Sequence, residues 1–124
     1  MDISKTIAQM KQDPDFAPNV GMVLVHNGVV RGWSRKDGSD IEQIDIRCDQ
    51  AKAEEICRQV EQMPGIYKIA MEARSGRMKP GDDVLFLVVA GDIRENVKPA
   101  LAILLDRIKA EAVTKKEYFG EDVA

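Results

Sequence analysis

The stretch VLFLVVA, residues 84–90, is an unbroken apolar run of strand length. A half-solvated strand alternates apolar and polar residues, so a run without a polar position predicts a strand covered on both faces. It belongs at the centre of a sheet, and the flanking sequence has to supply the layers that cover it. Directly after it, GDIRENVKPALAILLDRIKAEA (91–112) carries Val97, Leu101, Leu104, Leu105 and Ile108 at helical spacing, the longest helical pattern in the chain. Pro99 bears on where that helix starts. With Asn96 as N-cap, Pro99 takes the third helical position, where no N–H is needed. With Asp92 as the cap it would sit inside the helix, at a cost of about 3 kcal/mol. The expectation is therefore an Asn96 cap, with residues 91–95 as an irregular lead-in.

Working outward, AKAEEICRQVEQM (51–63) repeats Ala53, Ile56, Cys57, Val60 and Met63 at helical spacing and is stopped by Pro64-Gly65. IYKIAMEA (66–73) alternates, which predicts Tyr67, Ile69 and Met71 on one strand face. IEQIDIRC (41–48) reads as a strand with Ile44 and Ile46 on one side. VGMVLVHNGVVRGW (20–33) holds two β-branched runs around Asn27-Gly28, predicting a strand, a bulge or tight turn, and a strand again. DISKTIAQMKQ (2–12) forms a short amphipathic helix through Ile3, Ile7 and Met10, and DPDFAPN (13–19) breaks it. SRKDGSD (34–40) reads as a mobile, exposed loop, RSGRMKPGDD (74–83) as a loop or hairpin, and VTKKEYF (113–119) as an extended segment and a candidate edge strand. The order α-β-β-β-α-β-β-α-β predicts one α+β domain over residues 1–124, with two main helices against a mixed or largely antiparallel sheet.

Composition narrows the function classes. Hydrophobic residues make up 44% and charged residues 31%, an ordinary globular balance. A formal net charge of −3 argues against general nucleic-acid binding. No apolar run approaches the roughly 18 residues of a membrane span, and MDISKTIAQMKQD lacks a basic-then-apolar leader, so cytoplasm is the expected compartment. Cys48 and Cys57 are neither a C-x-x-C pair nor half of a zinc site, and Cys57 falls on a helix core face. His26 is the only histidine, which disfavours a structural zinc site or a histidine-based triad. Any catalysis is then expected from Lys, Arg, Asp, Glu or Tyr.

Several basic residues stand at element ends, where free backbone donors and converging loops gather ligands. Arg31 ends a strand in GVVRG, Arg74 opens RSG, and Arg94 lies between the apolar strand and the long helix. Lys109 closes that helix, and Lys115-Lys116 begin the final segment. Each also has a plain structural explanation. The helix dipole alone favours Lys109 by about 0.3–1 kcal/mol, Lys115-Lys116 suit a charge-protected edge strand, and Arg74 and Arg77 suit a solvated loop. His26 reads as a turn or strand-end residue and Trp33 as an anchor at the edge of the core.

Taken together, GVVRG, ARSGRMKPGDDVLFLVVAGDIRE and LLDRIKAEAVTKKEYF resemble the large, catalytic subunit of molybdopterin synthase, the MoaE type. That family reads G-x-V-R, then H-R-x-G-x-L-x-x-G-D before an apolar strand, H-R at the last long helix, D-x-L-K at its end, and P-x-W-K-K-E. The matching positions are Gly28 with Arg31, Arg74-Ser75-Gly76, Gly81-Asp82, Arg94, Asp106 with Lys109, and Lys115-Lys116-Glu117, over about residues 18 to 119. Ala73 and Ile93 stand where the family has histidine, and Ala112-Val113-Thr114 lack its proline and tryptophan.

The resemblance implies an α/β-hammerhead-type fold forming a homodimer within a heterotetramer. Each protomer would dock a small ubiquitin-like subunit of the MoaD type, whose Gly-Gly C-terminus carries a thiocarboxylate. Sulfur passes from that tail to a cyclic pyranopterin monophosphate, so the pterin is substrate and no resident cofactor or metal is implied. Lys109 matches the helix-end catalytic lysine, and either Lys115 or Lys116 matches the second. Arg31 and Arg94 match anion-binding arginines, Arg74 matches a basic motif position, and Glu117 matches the acid that follows. A carboxylate-type tail and a phosphate both need cations, and a lysine with a lowered pKa suits proton transfer or transient acyl capture. Two further readings stay open: a MoaE-like binding module without catalysis, and a small anion-binding domain unrelated to pterins.

Overall fold

The computed structural model describes residues 1–119; the last five residues of the expected 1–124 domain lie outside the described residues. Its elements are α1 (Ile3–Lys11), α2 (Phe16–Asn19), β1 (Met22–Val29), β2 (Gln43–Cys48), α3 (Gln50–Val60), β3 (Ile66–Ala73), β4 (Gly76–Met78), β5 (Asp83–Gly91), α4 (Arg94–Glu111) and β6 (Val113–Tyr118). The strands form two three-stranded sheets, β1-β5-β3 and β4-β2-β6. Every pairing is antiparallel.

The apolar run forms β5, the middle strand of the first sheet. One face sends Leu85, Leu87 and Val89 into a core with Ile56, Cys57 and Val60 of α3 and Val97, Leu104 and Ile108 of α4. The other face sends Val88 and Ala90 against Met10 and Ile7 of α1 and Phe16 of α2. Both sides are covered, which is why no polar residue interrupts this strand. Ile44 and Ile46 of β2 turn inward with Val30 as a smaller apolar cluster under the second sheet.

Three expectations within the strands and α4 change. Asn27-Gly28 does not break β1. Both residues stay in register with β5, Asn27 opposite Phe86 and Gly28 opposite Leu85, and the irregularity falls between Gly28 and Val29. Pairing with the central strand overrides the turn preference, and the Asn27 amide donates to Asp83 at 3.1 Å. Second, Tyr67 does not share a face with Ile69 and Met71. A register shift between Ile66 and Lys68 turns it to the α1 side, where it meets Phe16 edge-on at 6.1 Å. Third, Asn96 is not the cap of α4. The helix begins at Arg94 after Ile93, whose carbonyl accepts from the N–H of Asn96 and of Val97. Asn96 instead donates its side-chain amide to Asp92 Oδ1 at 2.9 Å. Pro99 then sits inside the helix, where it deprives the Glu95 carbonyl of a partner; both residues are solvent-exposed, so water can serve that carbonyl.

Between the sheets the chain does not run as an open loop. Ser34 N–H donates to the Ser39 carbonyl, Ile41 N–H to the Gly32 carbonyl, and Trp33 bridges Asp40, which makes a small closed hairpin. Most of it is exposed, but Ser34 is buried at 2% exposure. Trp33 is 53% exposed rather than an anchor of the core edge.

Candidate active site

A cavity of about 410 Å³ opens between the two sheets at the C-terminal end of α4. Its apolar floor includes Val30, Ile44, Ile46, Leu85 and Val113. Lys109, Lys115, Arg31, Arg35 and Arg74 also line it, and among the described residues no acidic side chain does. The volume falls within the range of small-molecule sites, and few polar groups over an apolar floor is their usual make-up.

The backbone explains how each group arrives. Lys109 occupies the last turn of α4, with buried Ile108 fixing the helix rotation. The chain then reverses at Ala112 and returns as β6, the edge of the second sheet. Directly opposed residues of an antiparallel pair point to one face. Lys115 lies opposite Ile46 and Glu117 opposite Ile44, so both share the inward face of β2. Lys116 lies opposite Asp45 and takes the outer face, where its ammonium sits 5.1 Å from the Tyr118 ring centroid. Arg77 occupies that outer face too, 4.0 Å from the same ring. Of the two adjacent lysines, Lys115 lines the cavity and Lys116 does not.

Arg31 follows β1 and is half-buried, its guanidinium 5.0 Å from the Trp33 ring centroid. Its Nη1 is buried and makes no hydrogen bond. Among the described residues Lys109, Lys115, Arg31 and Arg35 have no ion-pair partner. Buried guanidinium nitrogens are normally paired, so an unpaired one in a cationic cavity fits an anionic ligand. Burial first, and then the charge of Arg31, lower the Lys115 pKa; Lys109 and Arg35 add to this, while Glu117 opposes it.

Besides Lys116, three expected residues stand apart. Arg74 touches the cavity, but its guanidinium is held by Glu72 at 3.1 Å and lies 5.4 Å from the Phe86 ring centroid. Glu117 faces inward without lining the cavity, and accepts a long hydrogen bond of 3.4 Å from Ser34 Oγ. Arg94 opens α4, its side chain 79% exposed and paired with Glu95 at 3.4 Å. At 1.5 Å per residue it lies about 22 Å along the axis from Lys109. Within one protomer Arg94 and Lys109 do not meet.

Three polar lining residues were not predicted as site residues. Arg35 read as part of an exposed loop, and only the closed hairpin brings it to the rim. His26 read as a turn residue, and the continuous β1 puts it in the cavity wall instead. Burial first, then the nearby charge of Lys109, hold its imidazole pKa below the ordinary value. Cys48 also lines the cavity, and burial raises its thiol pKa. Cys57 is a core residue whose thiol is pushed up to about 11 by burial.

Fold and cavity together define an α+β protein with a cation-lined cavity between two antiparallel sheets. The model of the MoaE protein family matches residues 1–111, and the chain belongs to that family. The match includes Arg31, Arg74, Arg94 and Lys109 but stops before β6, so it does not reach Lys115, Lys116 or Glu117. Among solved structures, molybdopterin synthase from Staphylococcus aureus aligns with a TM-score of 0.70 at 23% identity, over 82% of this chain and 77% of that one. The molybdopterin cofactor biosynthesis protein E from Burkholderia multivorans aligns with a TM-score of 0.72 at 21% identity, over 96% and 82%. A complex of subunits 1 and 2 of the molybdopterin-converting factor from Helicobacter pylori aligns with a TM-score of 0.63 at 18% identity, over 100% and 87%. These likenesses establish a shared fold. The comparison with curated proteins finds no match.

Proposed function

We propose that the chain works as the catalytic large subunit of molybdopterin synthase, the role its family carries, and that the cavity between the sheets is its sulfur-transfer site. The observation that supports this most is the convergence of Lys109, Lys115 and Arg31 on one cavity without an acid among its lining. Both reactants are anionic: a thiocarboxylate on the Gly-Gly tail of a small MoaD-type subunit, and a cyclic pyranopterin monophosphate. Arg31, with an unpaired buried nitrogen, suits the fixed planar recognition of a phosphate or carboxylate. Lys115, with its lowered pKa, is the lysine suited to lose and regain a proton during transfer. Lys109, carried on a rigid helix end, is placed for proton transfer or transient acyl capture.

Arg94 enters this proposal only through a second copy of the chain. At the exposed start of α4 it can serve an anion only where another molecule brings its own cavity, and a homodimer within a heterotetramer is the assembly that would do so. Arg74 and Glu117 then act by position, Arg74 at the cavity edge and Glu117 through the hairpin that carries Arg31 and Arg35. Lys116 is left to the outer face. Among the described residues no helix is long and apolar enough to cross a membrane, and a cytoplasmic location goes with the proposed pathway. The test is to mix the protein with a thiocarboxylated small subunit and the pyranopterin and assay dithiolene. Product formation supports the enzyme; firm partner binding without product would replace it with the binding-module reading.

A further inference from the structure

The groups lining the cavity divide by chemistry. Four cationic side chains without ion-pair partners, Lys109, Lys115, Arg31 and Arg35, suit the charged parts of a ligand. Among the described residues only two uncharged polar side chains join them, the Cys48 thiol and the His26 imidazole, and His26 is the one aromatic ring in the lining. The imidazole lies over Gly28, where an added Cβ would stand 3.0 Å from its Nε2. That nitrogen is buried and makes no hydrogen bond. Burial first, then the charge of Lys109, favour the neutral form of the ring, in which one nitrogen donates and the other accepts. A buried polar atom without a partner carries a desolvation penalty that a suitable ligand group relieves. Among the described residues no hydrogen bond gives this ring a structural task.

We propose that His26 is a specificity-determining ligand contact, recognising the uncharged heterocyclic part of the substrate while the cations hold its anionic part. The ring binds as neutral imidazole, stacking its face on the heterocycle and turning a nitrogen away from Gly28 to hydrogen-bond a ring N–H or carbonyl. No proton need be transferred. This rests on the sulfur-transfer reading for the identity of the heterocycle as a pterin, but it concerns binding and is read out without turnover.

Because His26 is the only histidine, its imidazole nitrogens give the only histidine signals in a ¹⁵N spectrum. The experiment titrates the labelled protein at pH 8.5, where the ring is neutral, with cyclic pyranopterin monophosphate and separately with inorganic phosphate. The pterin should shift the imidazole signals to saturation, and phosphate alone should leave them near their free positions. In parallel, His26→Phe should weaken pterin affinity about 3- to 10-fold while leaving phosphate affinity unchanged, and His26→Gln should restore part of the loss. Imidazole signals unmoved at saturating pterin would overturn the inference even if the wild-type protein makes dithiolene, and so would undiminished pterin affinity in a folded His26→Phe. Failure of the wild-type protein to bind the pterin at all would overturn it together with the sulfur-transfer reading. Pterin binding that moves the ring, with no product formed, would sustain it and overturn only that reading.

Discussion

Lys109 and Lys115 line one cavity from two different elements, a helix end and the inner face of an edge strand, with the chain reversing between them at Ala112. The charge of Lys109 is one of those that lower the Lys115 pKa, after burial and Arg31. This pairing separates the two adjacent lysines of β6. Lys115→Ala should lower the rate of dithiolene formation by about 10²- to 10⁴-fold, the range for loss of a positioned proton-transfer group. Lys116→Ala, altering only the outer face, should leave the rate near wild type. Steady-state rates of the two variants, with unchanged circular dichroism, check this.

The Lys115 pKa should respond to its neighbours with a defined sign. Removing the Arg31 charge in Arg31→Gln takes away a cation that disfavours protonated Lys115, so the pKa should rise toward the ordinary lysine value. If neutral Lys115 accepts a proton in transfer, the alkaline rise of the rate moves to higher pH in that variant. A ¹³C titration of the lysine side chains reads the shift directly. The linkage sign also follows. With the folded pKa below the unfolded one, the unfolded chain binds more protons between the two values, so this lysine's contribution to stability rises with pH across that window.

Arg94 gives a prediction about assembly. If it serves the cavity of a second copy, Arg94→Ala and Lys109→Ala should each be poorly active alone yet complement when mixed and reassembled. One of the two sites in each mixed dimer then carries neither change, for about a quarter of wild-type activity with random pairing of a twofold dimer. Light scattering should give the mass of a dimer. No recovery on mixing would remove Arg94 from the site.

Leu104 is fully buried on α4 among the residues that cover Leu87 and Val89. Leu104→Ala should reduce stability by about 2–5 kcal/mol, through lost burial and the space left behind. Urea unfolding followed by circular dichroism measures it. The Lys109→Ala change, at an exposed helix end, should by contrast leave the midpoint close to wild type.

What the sequence disclosed follows from where the physics is local. VLFLVVA announces its own burial on both faces, and the spacing of Ile56, Cys57 and Val60 announces a helix face, because each pattern depends only on near neighbours. Asn27-Gly28 misleads because its turn preference is local while the pairing that overrides it comes from β5, more than fifty residues on. His26 was missed for the same reason: its place in the cavity wall depends on β1 running straight past Gly28 and on α4 bringing Lys109 alongside. Arg31, Lys109 and Lys115 were legible as candidates at element ends, and the family resemblance gave them a shared chemistry. That Lys115 rather than Lys116 faces inward could not be read from two adjacent lysines. The parity is set by Ile46 across the strand pair.

The most direct test is sulfur transfer itself, with Lys109 as the variable. Wild-type protein, a thiocarboxylated small subunit ending in Gly-Gly, and cyclic pyranopterin monophosphate should yield the dithiolene. Lys109→Ala should bind the same small subunit with similar affinity and yield essentially none. A folded Lys109→Ala protein that forms dithiolene at the wild-type rate would contradict the assignment of the cavity as the site of transfer.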